Sequence, residues 1–378
     1  MNTFKTVSFI LAIGLLITCQ STSKLVKIQV FTPSLNDTTS IVYISGDIDA
    51  LGSWSADKKA MSFVGNHLWE KSFRPKPNAS IEYKFTLGSW QKEGLDKQGH
   101  PFANFSINTA SVKIKKDTIY QWGQAQNTIV GQITGQVVYH KQMQGEGLLA
   151  RDVIVWLPTD YDKNTDKKYP VLYMHDGQNL IDPKTSSFGV DWQADETCDS
   201  LIKIGKIPPV IIVGINNTAD RSLDYSPGTK GEAYMNFIIN KLKPFIDATY
   251  RTKPDRLHTF VGGSSMGGLI SMMLVWEHSD IFLGALCMSP AFQYQNFDYV
   301  PKITSEKAPK KDLKIYLDIG TVGLESQLEP GVIAMVNALN AKGYLSNKDY
   351  FYVREAQARH AEADWARRLP NALIFLLN

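Results

Sequence analysis

The sequence predicts two parts, an all-β sandwich followed by a mostly parallel β-sheet flanked by helices, and three observations carry this. Up to about Tyr120 the apolar residues come in short alternating runs. Beyond Gly135 the runs become continuous and β-branched, and they alternate with helical stretches. A strand–turn–helix signature, Gly263-Ser264-Ser265-Met266-Gly267, stands in the second part. With 378 residues, 43% of them hydrophobic and 20% charged, the chain can build two ordinary cores, which excludes disorder and a coiled coil. Forty Lys plus Arg against 37 Asp plus Glu leave a net charge of +3, and no basic run is dense enough to track a phosphate backbone, so nucleic acid is not an expected partner.

The elements follow in chain order. Residues 1–19 read as a signal peptide: Lys5 precedes the apolar stretch Val7 to Ile17, too short to span a bilayer but suited to an h-region. Leu16-Ile17-Thr18-Cys19 resembles a bacterial lipobox, so a lipid anchor at Cys19 stands open beside simple cleavage. The expected address is periplasmic, outer-membrane lipoprotein or extracellular. Residues 24–120 read as the sandwich, in runs such as Val26 to Phe31, Ile41 to Ser45 and Ile81 to Thr86. The polar stretch 121–135 reads as a linker. Residues 136–378 read as the α/β part, with strands at Val171 to Met174 and Pro209 to Ile215 and helices at Ala233 to Asp247 and Gly267 to Glu277. Of three Cys, too few for a disulfide framework, Cys198 and Cys287 read as free thiols.

The chemistry centres on Ser265. Leu257 to Gly262 reads as a strand and Met266 to Trp276 as a helix, and the turn between them is so tight that Gly is expected two places before and two after the serine. A serine hydroxyl needs a base to take its proton and an acid to hold that base in its tautomer. Downstream of Ser265 the His residues are His278, near the end of a helix, and His360, in a loop after the strand-like Tyr350 to Val353; His360 is the expected base. For the acid the choice lies between Glu325, in a loop past the strand Lys314 to Gly320, and Asp318 inside that strand, with Glu325 preferred. The Met266 N–H and the Gln178 N–H, in Tyr173-Met174-His175-Asp176-Gly177-Gln178-Asn179, are the expected oxyanion donors. His175 and Asp176 lack partners with ligand-like spacing, so no metal and no cofactor is expected.

From Val137 onward the chain resembles the esterase family of α/β-hydrolases that includes ferric enterobactin esterase-like proteins and carbohydrate esterases acting on acetyl and feruloyl groups. The matching segments are Leu157 to Tyr161, Tyr169 to Asn179, Gly262 to Gly268, Leu317 to Thr321, and His360-Ala361-Glu362 with Trp365 and Arg368-Leu369-Pro370. The acid loop departs from the pattern, since relatives usually carry the acid soon after Gly-Thr, where this chain has Val322 and Gly323. Residues Val42 to about Phe105 resemble a starch-binding carbohydrate-binding module of the glucoamylase type, on Val42 to Gly46, Leu51 to Trp54, Leu68-Trp69, Ile81 to Phe85 and Gly88 to Trp90. The resemblance implies an immunoglobulin-like sandwich, with Trp54 and Trp90 as a sugar platform, Lys84 beside it, and α-glucan as a partner. The expected function is an exported serine ester hydrolase acting on an acylated sugar or polysaccharide. An acyltransferase, a siderophore lactone esterase and a non-catalytic glucan-binding protein with a vestigial hydrolase domain are the rivals.

Overall fold

The computed structural model describes residues 24–35, 40–99, 101–123, 133–187, 189–294 and 297–378. The expected leader, with Lys5 and Cys19, and residues 124–132 of the expected linker lie outside the described residues.

The alternating region forms β1 (Val26–Phe31), β2 (Tyr43–Gly46), β3 (Ser62–Gly65), β4 (Leu68–Phe73), β5 (Ser80–Thr86), β6 (Gly94–Leu95), β7 (Phe105–Asn108), β8 (Ile114–Thr118) and β9 (Gln121–Trp122). One sheet runs β3-β4-β1-β8 and another β2-β5-β7. In β1, Val26, Ile28 and Val30 point inward and are buried. Lys27 and Gln29 between them point outward and share the Glu70 carboxylate of β4, at 3.0 and 3.1 Å. This is the two-residue period of a sheet with one covered face. The inward residues meet Ile44 of β2 and Ile81, Tyr83 and Phe85 of β5 in one core. Trp69 belongs to that core, whereas Trp54 and Trp90 are half-buried, their ring centroids 6.4 Å apart. Gln121 and Trp122, the first residues of the expected linker, pair with Leu95 and Gly94.

The second region forms β10 (Gln136–Met143), β11 (Arg151–Leu157), β12 (Val171–His175), β13 (Ile211–Ile215), β14 (Thr259–Ser264), β15 (Gly284–Met288), the short pair β16 (Gln293–Tyr294) and β17 (Phe297–Asp298), β18 (Lys314–Ile319) and β19 (Tyr350–Arg354). Eight of them make one sheet in the order β10-β11-β13-β12-β14-β15-β18-β19. From β13 to β19 the neighbours are parallel, and β10 and β11 add antiparallel pairing at one edge, so the central sheet is mixed. Both faces are covered. In β12, Val171 and Tyr173 enter one core cluster while Leu172 and Met174 enter the other, which is why the run carries no polar alternation.

The covering helices are α1 (Ala194–Lys203), α2 (Arg221–Asp224), α3 (Thr229–Phe237), α4 (Lys243–Thr249), α5 (Met266–Glu277), α6 (Val300–Ser305), α7 (Leu324–Ala341) and α8 (Glu362–Leu377). Because β12, β14, β18 and β19 run parallel, the loops that follow them gather at one edge of the sheet, where open α/β sheets place their sites. Among the described residues no helix is long and apolar enough to cross a membrane. Cys198 and Cys287 are buried and unpaired.

Candidate active site

Ser265 stands between the last residue of β14 and the first of α5, with φ 57° and ψ −121°. A non-glycine residue adopts so strained a backbone only where its surroundings fix it. Here the Ser265 N–H donates to the Met288 carbonyl at 2.9 Å and its own carbonyl accepts from Ala291 at 3.0 Å. The chain closes on itself behind the serine: a Cβ on Gly263 would lie 3.0 Å from the Gly267 carbonyl carbon, so a side chain there would press on the turn backbone. Ser265 itself remains half-exposed.

His360 lies in the turn between β19 and α8. Its Nδ1 is 3.0 Å from Glu325 Oε1, and the edge of its ring meets Trp365 at 4.8 Å between centroids. Glu325 is fully buried in the first turn of α7, and its Oε2 accepts the Gly320 N–H at 2.6 Å. Burial pulls the Glu325 carboxyl up, but the hydrogen bond and charge of His360, with the Ser289 hydroxyl and the Gly320 N–H, outweigh it and hold the carboxyl below its ordinary range. With Nδ1 facing Glu325, His360 keeps Nε2 for a reacting group. Asp318 does not reach His360. Its Oδ1 accepts from Arg368 and from the Ser289 N–H, each at 2.9 Å, and burial pushes it up to about 7 despite Arg368. No hydrogen bond joins the Ser265 hydroxyl to His360 among the described residues, a looseness common in such pairs before substrate fills the site.

The loop after β12 supplies the opposite wall. As the first residue of α5, Met266 has no intrahelical partner for its N–H, and Gln178 sits in a single 3-10 turn, Gly177–Asn179. That turn is wedged against β13, since a Cβ on Gly177 would lie 2.5 Å from the Gly214 carbonyl carbon. Asp176, in the left-handed region at φ 57°, is clamped by Arg221 through two hydrogen bonds of 2.7 and 2.8 Å and by Asn217 at 2.6 Å. His175 is buried, and its Nδ1 is 2.8 Å from the Tyr234 hydroxyl. Burial pulls its ring down to about 3, so it is neutral. Both residues build the turn from beneath, and the Gln178 side chain adds to it by accepting the Asn217 N–H at 3.1 Å.

A family model described as Putative esterase matches residues 150–376, and one described as Starch binding domain matches residues 25–112. The chain belongs to the Putative esterase family. Among curated proteins it is similar to an endo-1,4-beta-xylanase/feruloyl esterase of Xylanibacter ruminicola, 28% identical over 219 residues. That match covers 55% of this chain and 27% of the relative, so the chain spans about a quarter of that protein's length. Among solved structures, a ferulic acid esterase is 22% identical with a TM-score of 0.54, covering 65% of this chain and 98% of that one. The enterobactin esterase of Shigella flexneri, solved in the presence of enterobactin, is 15% identical with a TM-score of 0.54 and covers 95% and 94%. These two likenesses concern the fold, an α/β-hydrolase with a mixed central sheet.

The esterase surrounds its site with side chains that the motifs alone do not reveal. Ser289 accepts from Trp365 Nε1 and Arg368 Nη2, both at 3.0 Å, and so joins Glu325, Asp318 and α8 in one buried network. Trp365 and Arg368 lie in a recognisable segment, but Ser289 follows β15 with no sequence signal beyond its place before Pro290. Arg221 and Asn217 come from a stretch with no catalytic signature. Glu362, two residues past His360, is buried and accepts from Asn179 Nδ2 at 3.3 Å. The N-terminal module reaches this region as well: the Tyr294 hydroxyl donates to Glu82 Oε2 at 2.5 Å, and Glu93 lies near enough to Glu362 to act on its ionisation. Lys84 is ion-paired with Glu93 at 2.8 Å.

Proposed function

We propose that this esterase is an exported serine carboxylic-ester hydrolase of acylated carbohydrates, working through Ser265, His360 and Glu325. The observation that carries the reading is the His360–Glu325 contact of 3.0 Å at the same sheet edge as the strained serine turn. In this mechanism His360 Nε2 takes the Ser265 proton as Oγ attacks the ester carbonyl. The oxyanion that forms accepts from the Met266 and Gln178 N–H groups, each such donor being worth about 3 kcal/mol in related sites. His360 returns the proton to the departing alcohol, and a water activated by the same ring then releases the acid from Ser265. Glu325 stays ionised and steadies the imidazolium.

The match to a starch-binding domain and the feruloyl esterase relative support a carbohydrate ester as substrate. In this reading the β-rich module is an immunoglobulin-like sandwich whose Trp54 and Trp90 meet a glucan. One observation favours a second reading, hydrolysis of a siderophore lactone: the enterobactin esterase likeness extends over 95% of this chain, the module included.

A panel of acetyl and feruloyl sugar esters and an enterobactin-type trilactone, assayed with wild type and Ser265→Ala, tests both. The expected outcome is turnover of a sugar ester, with Ser265→Ala slower by roughly 10⁴-fold or more at unchanged melting temperature. Near wild-type turnover by Ser265→Ala would remove this serine from the chemistry. Preference for the lactone would replace the carbohydrate reading, and no turnover of any ester by the folded wild type would favour a vestigial hydrolase domain.

A further inference from the structure

Three carboxyl side chains converge where the chain enters α1. One oxygen from each of Asp191, Asp195 and Glu196 lies within 4.8 Å of the others. Asp191 is 5% exposed, Asp195 is fully buried and Glu196 is half-buried. Asp195 Oδ2 accepts the Thr134 N–H at 2.7 Å, which leaves Oδ1 as the oxygen facing the cluster, buried and without a hydrogen-bond partner. Glu196 Oε2 is likewise buried with no partner outside the cluster, its carboxyl set against that of Asp195. Among the described residues no Lys, Arg or His is placed to neutralise Asp191 or Glu196. Instead Asp182 adds its negative charge beside Asp191. Carboxylates are buried without a counter-charge only at considerable cost.

We propose that Asp191, Asp195 and Glu196 are ligands of a structural divalent cation of the calcium type. Calcium binds oxygen at about 2.3–2.6 Å, so two of its ligands can stand up to about 5 Å apart, and the observed separation falls within that span. The donors are all oxygen, with no thiolate or imidazole, which suits a hard cation and not zinc. Backbone carbonyls and water complete such a shell. The N-terminal dipole of α1 explains acids at Asp195 and Glu196 in its first turn, but not Asp191, which comes from the preceding loop.

An ion there would fasten that loop to α1. The loop is bonded to the oxyanion turn, through Trp192 N–H to the Asn179 carbonyl at 2.9 Å, Ala194 N–H to the Leu180 carbonyl at 3.0 Å and the Thr185 hydroxyl to the Gln178 carbonyl at 2.8 Å. The cation therefore holds Gln178 indirectly, and no step of the ester chemistry passes through it.

The full chain, stripped with chelator and desalted, is titrated with Ca²⁺ and separately with Tb³⁺, whose luminescence Trp192, next to Asp191, would sensitise. A saturating excess of Ca²⁺ should raise the melting temperature by on the order of 5 °C or more, and Ca²⁺ should displace the Tb³⁺ signal. The double variant Asp191→Asn/Glu196→Gln should lose both responses. Glu196→Gln alone, at a half-exposed helical position, should keep the fold and weaken Ca²⁺ binding at least about tenfold, so poor folding of the double variant leaves the test intact. Wild-type protein with neither a melting shift nor a calorimetric heat in millimolar Ca²⁺ would overturn the proposal. So would a full-sized Ca²⁺ response in Glu196→Gln.

Discussion

Replacing Glu362 by Gln should make the catalytic domain more stable at neutral pH. The residue opens α8, is 6% exposed, and accepts from Asn179 at 3.3 Å. Burial first, and then the like charges of Asp176 and Glu93, push its carboxyl from an ordinary 4.5 up to about 8, with Arg221 opposing them. An acid raised in this way keeps its proton in the folded state after the unfolded chain has released it, so the sign is the reverse of the usual carboxylate. Its contribution is fully present below about 4.5 and is lost as pH climbs towards about 8. Each pH unit inside that window removes about 1.4 kcal/mol, which accumulates to about 3 kcal/mol by neutral pH. Gln keeps the shape and the acceptor that Asn179 uses but does not titrate. Urea unfolding at about pH 5, 6 and 7 should therefore show the variant gaining on wild type, from less than about 1 kcal/mol to about 3 kcal/mol. Parallel pH profiles, or a variant less stable at pH 7, would refute a protonated Glu362.

Two further substitutions separate neighbouring roles. Glu325→Gln should lower kcat by roughly 10³- to 10⁴-fold with the fold retained, because it touches the base. Asp318→Asn should keep the fold and lower kcat much less, since Asn still accepts from the Ser289 N–H and Arg368 keeps the Ser289 hydroxyl and the nearby Glu355 carboxylate. Steady-state kinetics with melting curves on both variants decide this, and the opposite ranking in kcat would give the acid role to Asp318. Trp54→Ala with Trp90→Ala should weaken amylose pull-down about tenfold or more while leaving kcat on a small soluble ester unchanged, each stacked ring being worth about 1 kcal/mol. Unchanged pull-down with a large fall in melting temperature would make the pair structural.

The parts of this molecule legible in sequence are those where one local rule dominates. The continuous apolar runs at Val171 and Pro209 announce covered strands, and the Gly263 to Gly267 spacing announces an elbow. The crowding behind Ser265 nevertheless falls on Gly263, where a Cβ would lie 3.0 Å from Gly267, while a Cβ on Gly267 would meet only ordinary contacts of 3.4 Å or more. The mixed edge of the sheet was not legible, since β10 and β11 alternate no differently from many strands and their direction is set by partners far along the chain. The same holds for Ser289, Arg221 and Asn217, whose importance comes from being brought against Glu325 and Asp176 by the fold. The Asp191 cluster is concealed in another way: acids at the start of a helix are ordinary, and only the convergence of the three, two of them buried, marks them.

The module's position bears on how it would serve the esterase. A flexible tether alone would act by raising local concentration on a polymer. Here β5 supplies Glu82 to the Tyr294 hydroxyl, and Glu93 faces both Lys84 and Glu362. Lys84 is thus held by a carboxylate at 2.8 Å, so a sugar hydroxyl would have to compete with that pair, and under the proposed function any glucan affinity would fall to Trp54 and Trp90. A hydrogen bond to a charged group such as Tyr294–Glu82 contributes about 1.5–3 kcal/mol, and the Lys84–Glu93 pair lies wholly within the module, so neither by itself fixes the module in place. Glu93 adds a like charge near Glu362, but burial comes first in raising that carboxyl and Lys84 offsets the Glu93 charge at 2.8 Å, so the module's share in the ionisation of Glu362 is the smaller one.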